Sequence, residues 1–268
     1  MTTRFPRISV ITPSFNQAAF LERTILSVLE QHYPNLEYIV IDGGSTDGSV
    51  DVIRKYEKFL AYWISEPDRG QAHAINKGLK QATGEWVAWQ NSDDIYYPGA
   101  FKEVALAANR YLKTDLIIGD VNLIDSQDGC LREMRYVRPT YNSVRAEGMV
   151  LTNQAAFWRR ALHSRIGWMN ESLHYGFDYE WFLRVLRETE HVKHLTGILG
   201  GLRMHAGTKT SMHPKRFEDE YCWIRDGHNV PLWKKRFYLA RRMLLTLRDG
   251  HVSYVLRGMK RRALGARG

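Results

Sequence analysis

Three short polar or acidic clusters each follow an apolar run, and their residue types suit the binding of a charged, aromatic ligand. The first is Thr12-Pro13-Ser14-Phe15-Asn16, the second Asp42-Gly43-Gly44-Ser45, and the third Asn91-Ser92-Asp93-Asp94. Phe15 offers an aromatic wall, Asp42 a hydrogen-bond acceptor and Asp93 a carboxylate able to bind a metal. Together these match the needs of a nucleotide: a π surface for the base, a polar partner for its edge and counter-charge for its phosphates. In an open parallel sheet such ligands sit beyond the carboxyl ends of the strands, so the three clusters are expected around one crevice.

The elements that must position them are legible from periodicity. Residues 7–12 (RISVIT), 36–42 (LEYIVID), 61–65 (AYWIS) and 85–90 (EWVAWQ) predict four strands, the first of them buried and the third short. Helical spacing recurs between them, in Leu21, Ile25 and Val28, in Val50, Ile53 and Tyr56, and in Ala72, Ile75, Leu79 and Ala82. A helix around 98–110 and a strand around 115–120 close this half. Repeated βα units predict an α/β fold with a Rossmann-like, mostly parallel central sheet and helices on both faces. The second half is less regular, with strands expected within 119–137, 153–158 and 191–204. A helix is expected over 178–188, where Trp181, Phe182, Val185 and Leu186 share a face. Trp86 and Trp89 read as core, and Asn76 and Gly78 as helix-packing positions.

Residues 8–101 resemble the family 2 glycosyltransferases of the GT-A fold. The resemblance rests on ISVITPSFNQAAFLERTILSVLEQ, IDGGSTDGS and EPDRGQAHAINKGLKQATGEWVAWQNSDDIYYPGAF in that order. It extends more loosely to about residue 211 through NQAAFWRR, GFDYEWFLR and MHAGTKTS. It implies a metal-dependent, inverting enzyme of the bacterial polysaccharide-biosynthesis type. Such an enzyme moves a sugar from a nucleotide-diphosphate donor to a hydroxyl of a glycan or lipid-linked acceptor.

By the same resemblance, Pro13 and Phe15 line the base pocket, Asp42 accepts from the base edge, and Arg69 reaches the nucleotide or its phosphates. Asp93 is the metal-binding carboxylate, for Mn²⁺ or Mg²⁺, and His205 helps ligate the metal or contacts the diphosphate. Ser92 and Asp94 belong to the donor side, and Lys209 adds charge toward the phosphates. Asp178 is the expected catalytic base, with Glu180 as the alternative. The chain departs from the family pattern at three places: Phe15 stands for a tyrosine, Asn91 for the first acid of the DxD-like motif, and Phe177 for a glutamate before Asp178. Plainer roles stay open beside these: Asp42 as a turn residue, Asp93-Asp94 as a solvated loop, Asp178 as a helix cap, His205 as a structural histidine, and Trp181 as helix packing or an acceptor platform.

The net charge of +9, from 38 Lys and Arg against 29 Asp and Glu, is unevenly placed. Residues 231–268 hold eleven cations and one acid, which leaves the first 230 residues slightly acidic. In this tail Trp233, Phe237, Ala240, Met243, Leu244 and Leu247 fall on one helical arc, with Lys234, Lys235, Arg241, Arg242 and Arg248 on the other side, and a second basic stretch spans 257–262. That pattern predicts a helix on an anionic membrane surface; the alternative is a helix docking its apolar arc on the domain. The expected division is a GT-A domain over 1–211 and a basic helical extension over 212–268.

Cys130 and Cys222 form no disulfide framework, residues 1–7 carry no apolar signal region, and no apolar run approaches the roughly 20 residues of a membrane span. A cytoplasmic protein, peripheral on the inner face of the cell membrane, is expected. Three other classes compete. A nucleotidyltransferase would carry a glycine-rich basic loop after its first strand, and PSFNQAAF has neither glycine nor lysine. A nucleic-acid-binding protein could use the tail but leaves the acidic strand ends unexplained, so no nucleic-acid partner is expected. A non-catalytic member of the same fold is made plausible by Asn91 and Phe177.

Overall fold

Each apolar run of the first half becomes a strand with a helix packed over it, and the carboxyl ends of these strands share one edge. The computed structural model describes residues 4–226 and 230–263. Its strands are β1 (Ile8–Ser14), β2 (Leu36–Asp42), β3 (Tyr62–Ser65), β4 (Trp86–Trp89), β5 (Ile95–Tyr96), β6 (Leu116–Ile124), β7 (Cys130–Met134), β8 (Ala156–Arg159) and β9 (Val192–Arg203). The helices are α1 (Ala18–Leu29), α2 (Ser49–Tyr56), α3 (Gln71–Gln81), α4 (Ala100–Arg110), α5 (Tyr141–Glu147), α6 (His163–Ile166), α7 (Phe177–Glu188), α8 (Lys209–Met212), α9 (Pro214–Asp226), α10 (Leu232–Arg248) and α11 (Val252–Ala263).

The sheet runs β3-β2-β1-β4-β8-β6-β9-β5, with β7 on β6. β1, β2, β3 and β4 are parallel, β6 and β9 continue in that direction, and β8, β5 and β7 run against them. The fold is therefore α/β with a mostly parallel sheet, and the reversed β8 is the irregular segment around 153–158. Register aligns the functional ends: Ser14 pairs with Asp42, Asp42 with Ser65, and the Gln90 amide donates to the Ile11 carbonyl.

Burial follows from strand position. All seven residues of β1 and all four of β4 are buried, as a central strand covered on both faces requires. α3 comes so close to β1 that a Cβ on Gly78 would lie 2.4 Å from Ile11 Cγ2, so only glycine fits that crossing. Trp86, Trp89, Trp158 and Trp181 are all core, with Trp89 against Trp158 at 5.3 Å and Trp158 against Trp181 at 5.9 Å between ring centroids. Trp181 thus serves helix packing.

The segment expected as an extension divides in two. α9 packs into the domain beside α7, with Ile224 buried and Tyr221 stacked on Tyr179 at 5.0 Å. α10 docks on α5 through its polar side: Thr246 is buried, and Arg242 Nε lies 2.9 Å from a Glu147 carboxylate oxygen. Its Trp233, Phe237, Met243 and Leu244 stay exposed, as do Val252, Leu256 and Met259 of α11. The apolar arc is therefore turned away from the domain. The backbone of 257–262 belongs to α11, while residues 264–268 lie outside the described residues.

Candidate active site

The loops after β1 and β2 are sewn together before any ligand arrives. Asn16, at a left-handed φ of 51°, accepts the Thr46 amide through Oδ1 at 3.0 Å, and its own amide donates to Ser45 Oγ at 2.8 Å. Asp47 and Ser49 accept the amides of Ala18 and Gln17, so the STDGS stretch caps the otherwise unpaired start of α1.

Asp42 belongs to this stitching. It is fully buried, and its carboxylate accepts the amides of Gly44 and Ser45 and the hydroxyls of Ser45 and Ser65, at 2.6–3.1 Å. Three of these donors meet Oδ2 and one, the Ser45 hydroxyl, meets Oδ1. Asp42 thus braces the turn, the plainer role weighed beside the base edge. The carboxylate that does face the aromatic wall is Asp68, which sequence reasoning passed over. A Cβ on Gly43 would lie 2.6 Å from Asp68 Oδ2 and 3.3 Å from Phe15 Cδ2, so Asp68 reaches over the bare glycine toward the Phe15 ring. Asp68 Oδ1 accepts the Gly70 amide at 2.7 Å. Phe15 is 59% exposed and free to stack, while Pro13 is buried inside β1 behind it. The missed signal was Gly43 itself: a position without a side chain at a strand end leaves room for one from the next strand.

The third cluster divides the same way. Asp94 is buried and accepts from Gln154 Nε2, Asn91 Nδ2 and the Arg203 amide, at 2.6–2.9 Å. Burial first, and then the neighbouring Asp93 charge, push its carboxyl well above the usual carboxylate range. Asn91 accepts from Gln71 on its other side, and Ser92 is buried. Asp94 and Ser92, expected on the donor side, are thus enclosed by protein and hold the turn. Arg203, also missed from sequence, backs this turn from β9: its Nε donates to the Asp93 carbonyl and its Nη1 to the Asp125 carbonyl.

Asp93 alone turns outward, with Oδ2 3.2 Å from His205 Nε2. The His205 ring lies on Phe20, centroids 4.4 Å apart, and its Nδ1 accepts the Gly207 amide at 3.2 Å. In this arrangement Nε2 carries the ring proton toward Asp93; ligating a metal through Nε2 requires Nδ1 to exchange the Gly207 amide for that proton. Among the described residues no group of three His, Cys, Asp or Glu side chains forms a metal cluster. Asp93 and His205 still fit a divalent cation as a pair, because a carboxylate oxygen and an imidazole nitrogen together suit Mn²⁺, and ligand oxygens can complete its shell.

On the far side, Asp178 sits in the first turn of α7, partly buried. Its Oδ1 accepts the Tyr179 amide at 2.7 Å and the Tyr221 hydroxyl at 3.3 Å. Burial pushes this carboxyl up to about 6, against the Tyr179 amide, the Tyr221 hydroxyl and the Lys209 charge, which lower it. Glu180 is engaged elsewhere, with Arg184 Nε at 2.6 Å and Nη2 at 2.9 Å from its two oxygens. Arg69 is exposed and paired with Glu171. Lys209 Nζ donates to the His174 carbonyl at 3.3 Å; desolvation of the ammonium lowers its pKa, against the charges of Asp178, Asp68, Glu220 and Asp93.

A cavity of about 800 Å³ lies at the opposite edge of the sheet, where Arg4 and Arg159 pair with Glu85 and Arg7 with Glu37. It holds none of the groups above. Next to α9 a second, open hollow of about 410 Å³ is bordered by Ser172, Leu173, Asp219, Glu220 and the exposed Trp223.

The chain is similar to known proteins in sequence and in fold. An uncharacterised glycosyltransferase of Mycobacterium tuberculosis is 32% identical over 192 residues, which is 71% of this chain and 72% of the relative. The putative teichuronic acid biosynthesis glycosyltransferase TuaG of Bacillus subtilis is 43% identical over 97 residues, covering 35% of this chain and 38% of TuaG. A glycosyltransferase of Rickettsia felis is 31% identical over 68% of this chain, a match that spans only 32% of that longer relative. The fold is shared, at 19% identity, with residues 1–349 of Staphylococcus aureus TarS solved with UDP-GlcNAc (TM-score 0.67, covering 88% of this chain and 71% of that one). It is shared too with the mannosyltransferase PcManGT of Pyrobaculum calidifontis solved with GDP-Man and Mn²⁺ (TM-score 0.62, 19% identity, 98% and 81% covered). Residues 9–163 match the profile of glycosyl transferase family 2, and the chain belongs to that family.

Proposed function

We propose that the protein transfers a sugar, with inversion, from a nucleoside-diphosphate donor to a hydroxyl of a glycan or lipid-linked acceptor. The observation that carries this reading is that the charges of Asp178, Asp68 and Asp93 all act on one ammonium, that of Lys209. Their common reach supports one opening bordered by the aromatic wall, the DxD-like turn and the first turn of α7. The base stacks on Phe15 and its edge donates to Asp68, in the place expected of Asp42. Lys209 balances the diphosphate. Asp93 and His205 would hold Mn²⁺ or Mg²⁺, which when bound supplies Lewis-acid stabilisation of the leaving diphosphate charge.

Asp178, rather than the ion-paired Glu180, takes the proton from the acceptor hydroxyl. The freed oxygen forms its bond to the anomeric carbon as the carbon–diphosphate bond breaks, and the electron pair leaves with the nucleoside diphosphate. A carboxyl at about 6 is ionised at neutral pH yet basic enough to accept that proton. The acceptor enters from the α7–α9 side, where the Trp223 hollow offers an indole face and the Asp219 carboxylate.

Peripheral attachment to an anionic, cytoplasm-facing bilayer is part of the same proposal. Among the described residues no helix is long and apolar enough to cross a membrane. The outward apolar arc of α10 and the stripe Val252, Leu256 and Met259 of α11 instead suit an interface, with cations beside them.

Isothermal calorimetry with UDP, GDP, ADP and CDP, each with and without Mn²⁺, tests the donor reading. At least one diphosphate is expected to bind in a Mn²⁺-dependent way, and Asp93→Ala is expected to remove that dependence. A protein that binds none of the four under either condition is not a nucleotide-sugar enzyme of this kind.

A further inference from the structure

Helix α9 belongs to the stretch that the sequence marks as an appendage, yet two consecutive residues of it act on the first turn of α7. Glu220 accepts three backbone amides in a row, those of His174, Tyr175 and Gly176, at 2.8–3.0 Å. These amides immediately precede Phe177, the first residue of α7. Tyr221 lies on the Tyr179 ring, nearly coplanar at 7°, and on Phe217 at 4.3 Å, so its ring is clamped between aromatics. From that clamp its hydroxyl reaches Asp178 Oδ1. Gly176 shows how close the fit is: a Cβ there would lie 2.6 Å from Ile224 Cδ1 and 3.4 Å from Tyr221 Cδ2.

We propose that α9 is the positioning arm of the catalytic carboxylate, with Glu220 fixing the turn that carries Asp178 and the Tyr221 hydroxyl fixing the orientation of its side chain. The proposal rests on Asp178 being the base. A general base must present one defined oxygen to the acceptor. With Oδ1 held by the Tyr179 amide and Tyr221, Oδ2 is the oxygen left to take the proton. The groups facing Asp178 are Tyr221 and Glu220 from α9, Lys209 from α8 and Tyr179 from α7. Of these only Lys209 is cationic, and only Tyr221 donates through a side-chain hydrogen bond. A hydroxyl donated to a carboxylate favours its ionised form, so Tyr221 keeps Asp178 usable as a base at lower pH than burial alone would allow.

Tyr221→Phe removes the hydroxyl and keeps the stacked ring, so the fold is retained. In carboxyl-¹³C aspartate-labelled full-length protein, the Asp178 resonance is identified by its absence from Asp178→Asn. Its titration midpoint is expected to move upward in Tyr221→Phe by on the order of one pH unit. Nucleotide diphosphate affinity should not change. Hydrolysis of the donor that the calorimetry selects, with water in place of the acceptor, should fall about tenfold near pH 6. Recovery is expected as pH rises.

An unmoved midpoint overturns the proposal, and so does a lower rate with an unshifted acid limb, which would make Tyr221 only a packing residue. Glu220→Gln gives a second handle. It is expected to lower the rate without weakening nucleotide binding, and an unaltered rate overturns the part assigned to Glu220. Failure of the underlying reading looks different: Asp178→Asn would then hydrolyse donor as fast as the unaltered protein, whatever Tyr221→Phe does.

Discussion

The two sides of the opening handle carboxylates in opposite ways. On the donor side, acids stand at the strand ends in plain view of the sequence, and most of them are taken up by the protein. Asp42 has four internal donors and Asp94 three, and Asp47 caps α1. On the acceptor side one carboxylate, Asp178, sits in the first turn of α7 two residues from Glu180, and its surroundings change its chemistry. An acid in a motif is therefore as often a loop brace as a ligand. The acids proposed to face ligand, Asp68, Asp93 and Asp178, have fewer protein partners than Asp42.

The strongest way to break this comparison is at Asp178. Asp178→Asn is expected to lower transfer by about 10²–10⁴ while leaving nucleotide affinity unchanged. The unaltered enzyme should show an acid limb in its rate near pH 6, since the base must be ionised. Stability carries a matching signature. Folding raises this carboxyl, so the folded state holds the proton more tightly than the unfolded chain. Its stabilising contribution is complete below about pH 4 and is lost as pH rises through about 6. Asp178→Asn should therefore melt higher than the unaltered protein at pH 7.5, with the gap closing toward pH 4. Calorimetric melts across that range check the sign. A variant that is both inactive and less stable at pH 7.5 would make Asp178 a structural brace like Asp42.

Within the donor side, Asp42 and Asp68 make a second contrast. Asp42→Ala strands two amides and two hydroxyls, and is expected to cost about 2–4 kcal/mol of stability. Asp68→Ala gives up one amide contact, leaves the melting temperature nearly unchanged and weakens nucleotide binding about tenfold. Thermal melts and calorimetry on the pair decide it. If Asp42→Ala keeps its melting temperature and loses nucleotide, the base is read by Asp42 after all.

These contrasts also show where sequence reasoning reached and where it stopped. Strands β1, β2 and β4 were legible because a strand buried on both faces must be an apolar run, and RISVIT and EWVAWQ are short runs of that kind. The position of Phe15, Asp93 and Asp178 followed from family motifs quoted in order. What could not be read was occupancy. Whether Asp42 Oδ2 faces a ligand or Ser65 depends on the register of β2 against β3, which no local pattern encodes. Arg203 and Tyr221 escaped for the same reason, being 110 and 43 residues from the groups they hold. The reversed β8 was visible only as irregularity, because NQAAFW is apolar enough for either direction.

A last contrast lies inside the tail. α9 turns Phe217, Tyr221 and Ile224 toward α7, whereas α10 turns Arg242 and Thr246 toward α5 and leaves Trp233, Phe237 and Leu244 outside. Amphipathic spacing alone did not separate these two outcomes, since both helices carry apolar residues on one arc. If the outward arc of α10 meets a bilayer, Leu244→Glu should lower partition onto phosphatidylglycerol vesicles a few-fold, on the order of 1 kcal/mol, without touching donor binding. Raising salt should weaken binding of both proteins through the Lys and Arg side chains, each of which contributes about 1 kcal/mol near such a surface. Co-sedimentation at two salt concentrations separates the apolar from the ionic part. Equal partition of Leu244→Glu and the unaltered chain would leave the charges as the whole attraction, and α10 would then differ from α9 in that its apolar arc stays exposed among the described residues.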